Sequence, residues 1–194
     1  MEDIQNEKAY YRLQIGLGKS IVGTEVRECE VFKVNKSEGD ISLAIRKFTY
    51  SNGQKPFAVV ISCSDSRVIP ESIFSASIGD LFVIIVVGNV VDSTVLASMH
   101  YAVSHLNVPL VVVLGHTGCG AVNAAINDNA NGLIKPTIDK IKLVIGNEND
   151  DYIATSKNVM AGVEEIISAL GEDYPKVNVV GAVYFADSGV VEFL

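Results

Sequence analysis

The chain has 194 residues, 48% of them hydrophobic, which suits one domain with a sizeable core, or such a domain plus an arm. A net charge of −8 argues against a nucleic-acid backbone or an anionic membrane as partner, and no stretch approaches the ~20 uninterrupted apolar residues of a membrane-spanning helix. The three cysteines, Cys29, Cys63 and Cys119, do not make a disulfide framework and leave metal ligand, nucleophile and inert core thiol as their readings.

The first residues, "MEDIQNEKAYYRLQ", are charged and carry no apolar signal-peptide stretch, so a cytoplasmic protein is expected. Residues 1–55 are polar and weakly patterned. They read as an N-terminal arm with helices near 8–15 and, after Asp40, near 41–48. "GLGKS" (16–20) looks like a phosphate loop, but Leu13 stands where that motif needs its first glycine, and no strand precedes it. From Pro56 onward (56–194) the pattern sharpens. Apolar runs rich in Val and Ile at 57–62, 81–87, 110–114 and 177–184 have strand length. Between the second and third runs lies "DSTVLASMHYAVSHLN", with Val95, Met99, Ala102 and Val103 among the residues of one helical stripe and Asp92 or Ser93 as N-cap. A further helix fits 156–170, with Val159, Met160, Val163, Ile166, Ile167 and Leu170 on its buried face and Gly171 to stop it. The end of the chain reads as a turn at Ser188-Gly189 and a short last strand. Strands alternating with helices predict an α/β fold: a mainly parallel sheet, a four-stranded core plus an edge strand, flanked by helices on both faces.

Ligands of such sheets bind beyond the carboxyl ends of the strands. The first run continues as "AVVISCSDSRV", placing Cys63, Asp65 and Arg67 at alternate positions; in an extended chain all three face one side. The third continues as "VVVLGHTGCGAV", where H-x-x-C spacing lets a turn or helix start aim His116 and Cys119 at one point. The fold therefore gathers two thiols and an imidazole at one sheet edge, a Cys₂His donor set that suits catalytic zinc with a fourth position open. Asp65 and Arg67 would support that centre, or Asp65 could take the fourth position itself. Cys29 has no partner nearby in sequence and reads as structural or incidental. His100 and His105 lie on the 92–106 helix, where a hydrogen-bonded or solvated histidine is the default.

Together "CSDSRV" and "GHTGCGAV" closely resemble the two signature segments of the β-class carbonic anhydrases. The likeness runs through "GQKPFAVVISCSDSRV", "PESIF", "GDLFVI", "GNVVD", "YAVSHLNVPLVVVLGH" and the closing "GAVY" and "VEFL". It covers roughly residues 53–127 well and the C-terminus adequately, whereas residues 1–50 match poorly. The resemblance implies that Cys63, His116 and Cys119 hold Zn²⁺. It makes Asp65 and Arg67 the catalytic dyad, with the arginine keeping the carboxylate off the metal; in some members the Asp instead binds zinc and closes an inactive form. It implies a homodimer or tetramer whose N-terminal arm (1–55) packs on a partner subunit, with 56–194 as the catalytic domain. The implied reaction is zinc-dependent, reversible hydration of CO₂ to bicarbonate and a proton.

Four positions depart from the family pattern. Ile85 stands for the usual Arg in "FVIIVVGN" and Val87 for a small Ala; Ser75 replaces Asp in "IFSASIGD"; His100 replaces Glu in "HYAV". In some members that Arg belongs to a bicarbonate site outside the metal centre, so inhibition of that kind is not expected here. The five metal-centre positions are intact, and an active enzyme is expected. The competing readings are a COS or CS₂ hydrolase on the same fold, a catalytically silent zinc- or bicarbonate-binding protein, and a cysteine-based redox protein.

Overall fold

A computed structural model describes residues 31–33 and 39–194. The expected helix near 8–15, the 16–20 segment and Cys29 lie outside the described residues. Among the described residues six strands form one sheet: β1 (Val31–Lys33), β2 (Ala58–Cys63), β3 (Leu81–Val86), β4 (Leu110–His116), β5 (Asn178–Phe185) and β6 (Val190–Phe193), in the order β1-β6-β5-β4-β2-β3. The four strands β3, β2, β4 and β5 run parallel. After the turn in which Gly189 N donates to Phe185 O (2.8 Å), β6 returns antiparallel against β5. This is the expected four-stranded core with an edge strand. The sixth strand, β1, was not expected. It lies in the segment read as an arm and joins the sheet through antiparallel backbone pairing with β6.

Among the described residues six α-helices accompany the sheet: α1 (Leu43–Asn52), α2 (Pro70–Ile73), α3 (Ser93–Leu106), α4 (Gly120–Ile126), α5 (Lys135–Ile145) and α6 (Asp151–Leu170). The described residues contain no helix long and apolar enough to cross a membrane. Every residue of the central strands β2 and β4 is buried, which is why they read as continuous apolar runs rather than as alternation. On one face Val59, Ile61, Val111 and Val113 pack against α3 and α6. On the other, Val60, Val112 and Leu114 meet Val68 and Ile73 around α2. Each fully buried aliphatic side chain of this kind contributes about 1.5–3 kcal/mol.

Local signals explain the helix ends. Of the two candidate caps for α3, Asp92 is the one used: its Oδ1 accepts from Thr94 N and Val95 N, both at 2.9 Å. Helix α6 stops at Gly171 as expected, but it starts five residues earlier than the 156–170 reading, capped by Asp150, whose Oδ1 accepts from Ile153 N (2.9 Å). Its buried stripe is also narrower than the sequence reading. Val159, Val163, Ile166 and Leu170 are buried, whereas Met160 and Ile167 are 37% and 53% exposed. Both sit one residue past a core position, about 100° round the helix. The core face is completed instead by Thr155, Asn158 and Gly162. Helix α5 was not anticipated. Its Ile138, Ile141 and Ile145 are buried and roof the end of the sheet where the two cysteines lie.

Candidate metal centre

Strands β2 and β4 are parallel neighbours, with Val59 opposite Val111 and Ser62 opposite Leu114, so their carboxyl ends share one edge. Cys63 is the last residue of β2 and His116 the last of β4. Cys119 follows one tight turn later as the residue preceding α4. That turn is fixed by Thr117 N donating to Tyr184 O (3.0 Å). It also places Gly118 in the left-handed region (φ +65°), where a glycine is needed for the backbone alone, since a Cβ there would come no nearer than 3.9 Å to Arg67.

The ligand atoms of Cys63, His116 and Cys119 lie within 4.8 Å of one another, and all three residues are buried. The sulfurs are 3.9 Å apart. His116 Nδ1 is 3.0 Å from Thr117 O; a carbonyl only accepts, so Nδ1 carries the hydrogen and Nε2 keeps a free lone pair. That Nε2 is buried without a hydrogen-bond partner, an arrangement that costs about 1–3 kcal/mol unless something accepts the lone pair. The thiol pair is electrostatically tense. Donation from Cys119, opposed by burial and aided by His116 and the Gly88 N–H, holds the Cys63 thiol well below its ordinary value. The same pairing, with burial, pushes the Cys119 thiol up. Burial works to lower the His116 pKa, but the neighbouring Cys63 sulfur outweighs it and the net direction is up. Two soft sulfurs, an orphaned imidazole nitrogen and a buried setting fit a zinc ion, which would take the lone pair and replace the shared proton.

Asp65 and Arg67 reach the site by a different route from the one the sequence indicated. The chain does not stay extended: β2 ends at Cys63, and Val68 N donates to Asp65 O (2.9 Å) to close a turn. The turn still brings Asp65 Oδ2 to 4.0 Å from His116 Nε2. Arg67 grips both carboxylate oxygens, Nε to Oδ1 at 2.9 Å and Nη2 to Oδ2 at 2.7 Å. The same Nη2 donates to Gly118 O at 3.0 Å, tying the pair to the loop between His116 and Cys119. The Arg67 guanidinium holds the Asp65 carboxyl far below the usual carboxylate range.

Three contributors escaped the sequence reading. Gly88 N donates to Cys63 Sγ at 3.3 Å. Asn158 Nδ2 donates to Gly88 O at 2.9 Å. Asp151 Oδ2 accepts from Gly118 N at 2.8 Å. Asn158 fell within the expected 156–170 helix, and its polar character beside an apolar stripe was the available signal; Asp151 fell outside that helix altogether. As for the departures, Ile85 is 53% and Val87 42% exposed, and Ser75 has a φ of +53°. His100 Nε2 lies 3.0 Å from the Tyr174 hydroxyl. His105 Nδ1 lies 2.7 Å from Ser104 Oγ. Both histidines thus have the hydrogen-bonded surface role expected of them.

A family model described as carbonic anhydrase matches residues 58–191. Carbonic anhydrase 2 of Mycobacterium tuberculosis is 52% identical over 94 residues, which cover 46% of this chain and 45% of that protein. The carbonic anhydrase of Synechococcus elongatus is 31% identical over 171 residues, covering 73% of this chain and 61% of its own length. The chain spans about half the length of the mycobacterial relatives it matches. Among solved structures, a β-carbonic anhydrase of Aspergillus fumigatus superposes with a TM-score of 0.69 at 28% identity, over 78% of this chain and 81% of that one. A Coccomyxa β-carbonic anhydrase in complex with acetazolamide gives 0.67 at 28%, over 78% and 79%. A tetrameric β-carbonic anhydrase of Sordaria macrospora gives 0.67 at 27%, over 78% and 88%.

Proposed function

Because the chain belongs to the carbonic anhydrase family, in its β class, we propose that it catalyses the reversible hydration of CO₂ to bicarbonate and a proton, with zinc held by Cys63, His116 and Cys119. The observation that carries this reading is the buried Cys63–His116–Cys119 group, with its unpartnered His116 Nε2, beside a carboxylate kept ionised by Arg67. Zinc held there by Cys63, His116 and Cys119 would supply the Lewis acidity that makes water a nucleophile at neutral pH.

The protein's own groups do the rest. Asp65, ionised across neutral pH, can accept a hydrogen bond but not donate one. It therefore orients the attacking water by taking its O–H and leaving a lone pair free for the substrate carbon. Arg67 prevents the carboxylate from turning onto the metal, because both carboxylate oxygens are already engaged and the guanidinium is itself anchored on Gly118 O. The Nδ1–H of His116, bonded to Thr117 O, fixes the tautomer that presents Nε2 as a ligand. Ala121, Val122 and Ile141 cluster with the two cysteines and keep the surroundings apolar, which suits a small uncharged substrate such as CO₂.

The same proposal makes the protein a cytoplasmic homodimer or tetramer, with residues 1–55 as an arm on a partner subunit and 56–194 as the catalytic unit. Support comes from α1, which buries none of its residues in the chain alone and leaves Leu43 66% and Tyr50 92% exposed. The deciding experiment is stopped-flow CO₂ hydration between pH 6.5 and 9, with zinc quantified on the same sample. About one zinc per chain and a rate abolished by chelation are expected. One zinc with no hydration, but turnover of COS or CS₂, would replace the substrate. One zinc and no turnover of any of the three would make this a binding protein, and no zinc in folded protein would overturn the reading.

A further inference from the structure

We propose that Asn158 is a positioning residue of the metal centre, acting on Cys63 through the backbone of Gly88. The inference rests on the reading of Cys63, His116 and Cys119 as a zinc site. Asn158 is 7% exposed and lies next to Val159 on the core face of α6, a place where an amide is retained only if it is hydrogen-bonded. Its Nδ2 donates to Gly88 O at 2.9 Å. Gly88 N in turn donates to Cys63 Sγ at 3.3 Å. One residue thus carries both halves of the relay, its carbonyl held by α6 and its N–H aimed at the sulfur.

Gly88 cannot find that orientation by itself. It sits at φ +67° in the turn that follows β3, a conformation in which a glycine is free to rotate. The space around it is closed on one side, where a Cβ would meet Ile141 Cδ1 at 2.8 Å and Ala121 Cβ at 3.0 Å. Packing confines the residue, and the Asn158 hydrogen bond selects its direction. The consequence is chemical. Two thiolates neutralise the charge of a divalent metal, and an N–H donating to one of them withdraws electron density from the sulfur, which restores Lewis acidity and holds the ligand in place. Asn158, 70 residues from Gly88 in the sequence, would exert this effect without touching the metal, the substrate or any ligand side chain.

Asn158→Asp tests the relay, because it keeps the shape and removes the NH₂ donor. Zinc affinity is measured by competition with a chelator, and the sulfur-to-cobalt charge-transfer band is recorded on the cobalt-substituted protein. Val163→Ala, a buried change on the same helix face outside the relay, is the control for general destabilisation. For Asn158→Asp we expect zinc binding weakened about 10–100-fold and a shifted charge-transfer band, with Val163→Ala moving neither. Wild-type affinity and an unshifted band in Asn158→Asp would overturn the proposal. Should that variant not fold, Asn158→Ala is read by how far zinc raises its Tm: a smaller rise than in the wild type supports the relay, and an equal rise overturns it. A wild-type protein that binds no zinc would instead overturn the metal-site reading, and this inference with it.

Discussion

His116 Nε2 and the Asp65 carboxylate stand 4.0 Å apart and are held for different tasks, one free to donate a lone pair and the other anchored at both oxygens by Arg67 with lone pairs left to accept a hydrogen bond. Removing a ligand and removing the carboxylate therefore have different signatures. Cys119→Ser replaces a thiolate by a poor ligand and is expected to lose zinc and activity together. Asp65→Ala is expected to retain zinc, measured on the same samples, while the hydration rate falls about 10²-fold or more, the range usual for a positioned group of this type. Full activity in Asp65→Ala would remove the orienting role. The pH dependence of the ion pair has a definite sign. Arg67 depresses the folded-state pKa of Asp65, so the pair's contribution to stability is present above the ordinary carboxylate value of about 3.9 and is lost as pH falls through the lower folded value. The stability difference between wild type and Asp65→Ala should accordingly be level from pH 5 to 9 and shrink only below about pH 4.

At the scale of elements, the ends of strands and helices do most of the positioning. Cys63 and His116 are placed by the last residues of two neighbouring parallel strands, and Cys119 by the residue that opens α4. Helix α3 depends on one of the two caps that the sequence offered: Asp92, not Ser93, has the side-chain oxygen that satisfies two backbone N–H groups. Asp92→Ala should cost about 1 kcal/mol, a drop in Tm of about 2–4 °C for a domain of this size, readable by thermal denaturation of the zinc-loaded protein. Helix α6 carries a second function besides core packing. Asp151 and Asn158, two turns apart on its length, hydrogen-bond Gly118 and Gly88 beside the Cys63–His116–Cys119 cluster. The stripe rule read α6 as apolar packing; the apolar residues are there, but the polar ones between them do the positioning.

For the whole molecule, the sheet edge, α4, α5 and α6 converge on one buried cluster of thiols, so a metal held there would couple its binding to folding. A bound ion that prefers the native state stabilises it by mass action. Chelation is expected to lower the Tm measurably and to make Cys63 and Cys119 accessible to alkylation, and a Tm indifferent to chelation would count against a resident metal. Outside the cluster, the apolar exposure of α1 and of Ile85 on the outer strand β3 marks the surfaces that an oligomer would cover.

Much of this was legible in the chain itself. Cysteine and histidine are sparse, and the H-x-x-C spacing after a strand-length apolar run pins them to one sheet edge, so Cys63, His116 and Cys119 could be named before any coordinates. The parallel core was legible because buried strands leave unbroken Val/Ile runs, and Asp92 and Gly171 because caps and stops use particular residue types. Other features had no such trace. A three-residue strand such as β1 is defined by backbone pairing, which any sequence can supply. The three isoleucines of α5 carry helical spacing, but exposed Leu143 beside them blurs the pattern. The turn after Cys63 and the Asn158–Gly88–Cys63 relay use main-chain N–H and C=O groups that every residue but proline possesses. Residue types and their spacing decided which chemistry the protein carries; tertiary structure alone decided which backbone groups face that chemistry, because a hydrogen bond across 70 residues exists only once the chain has closed around it.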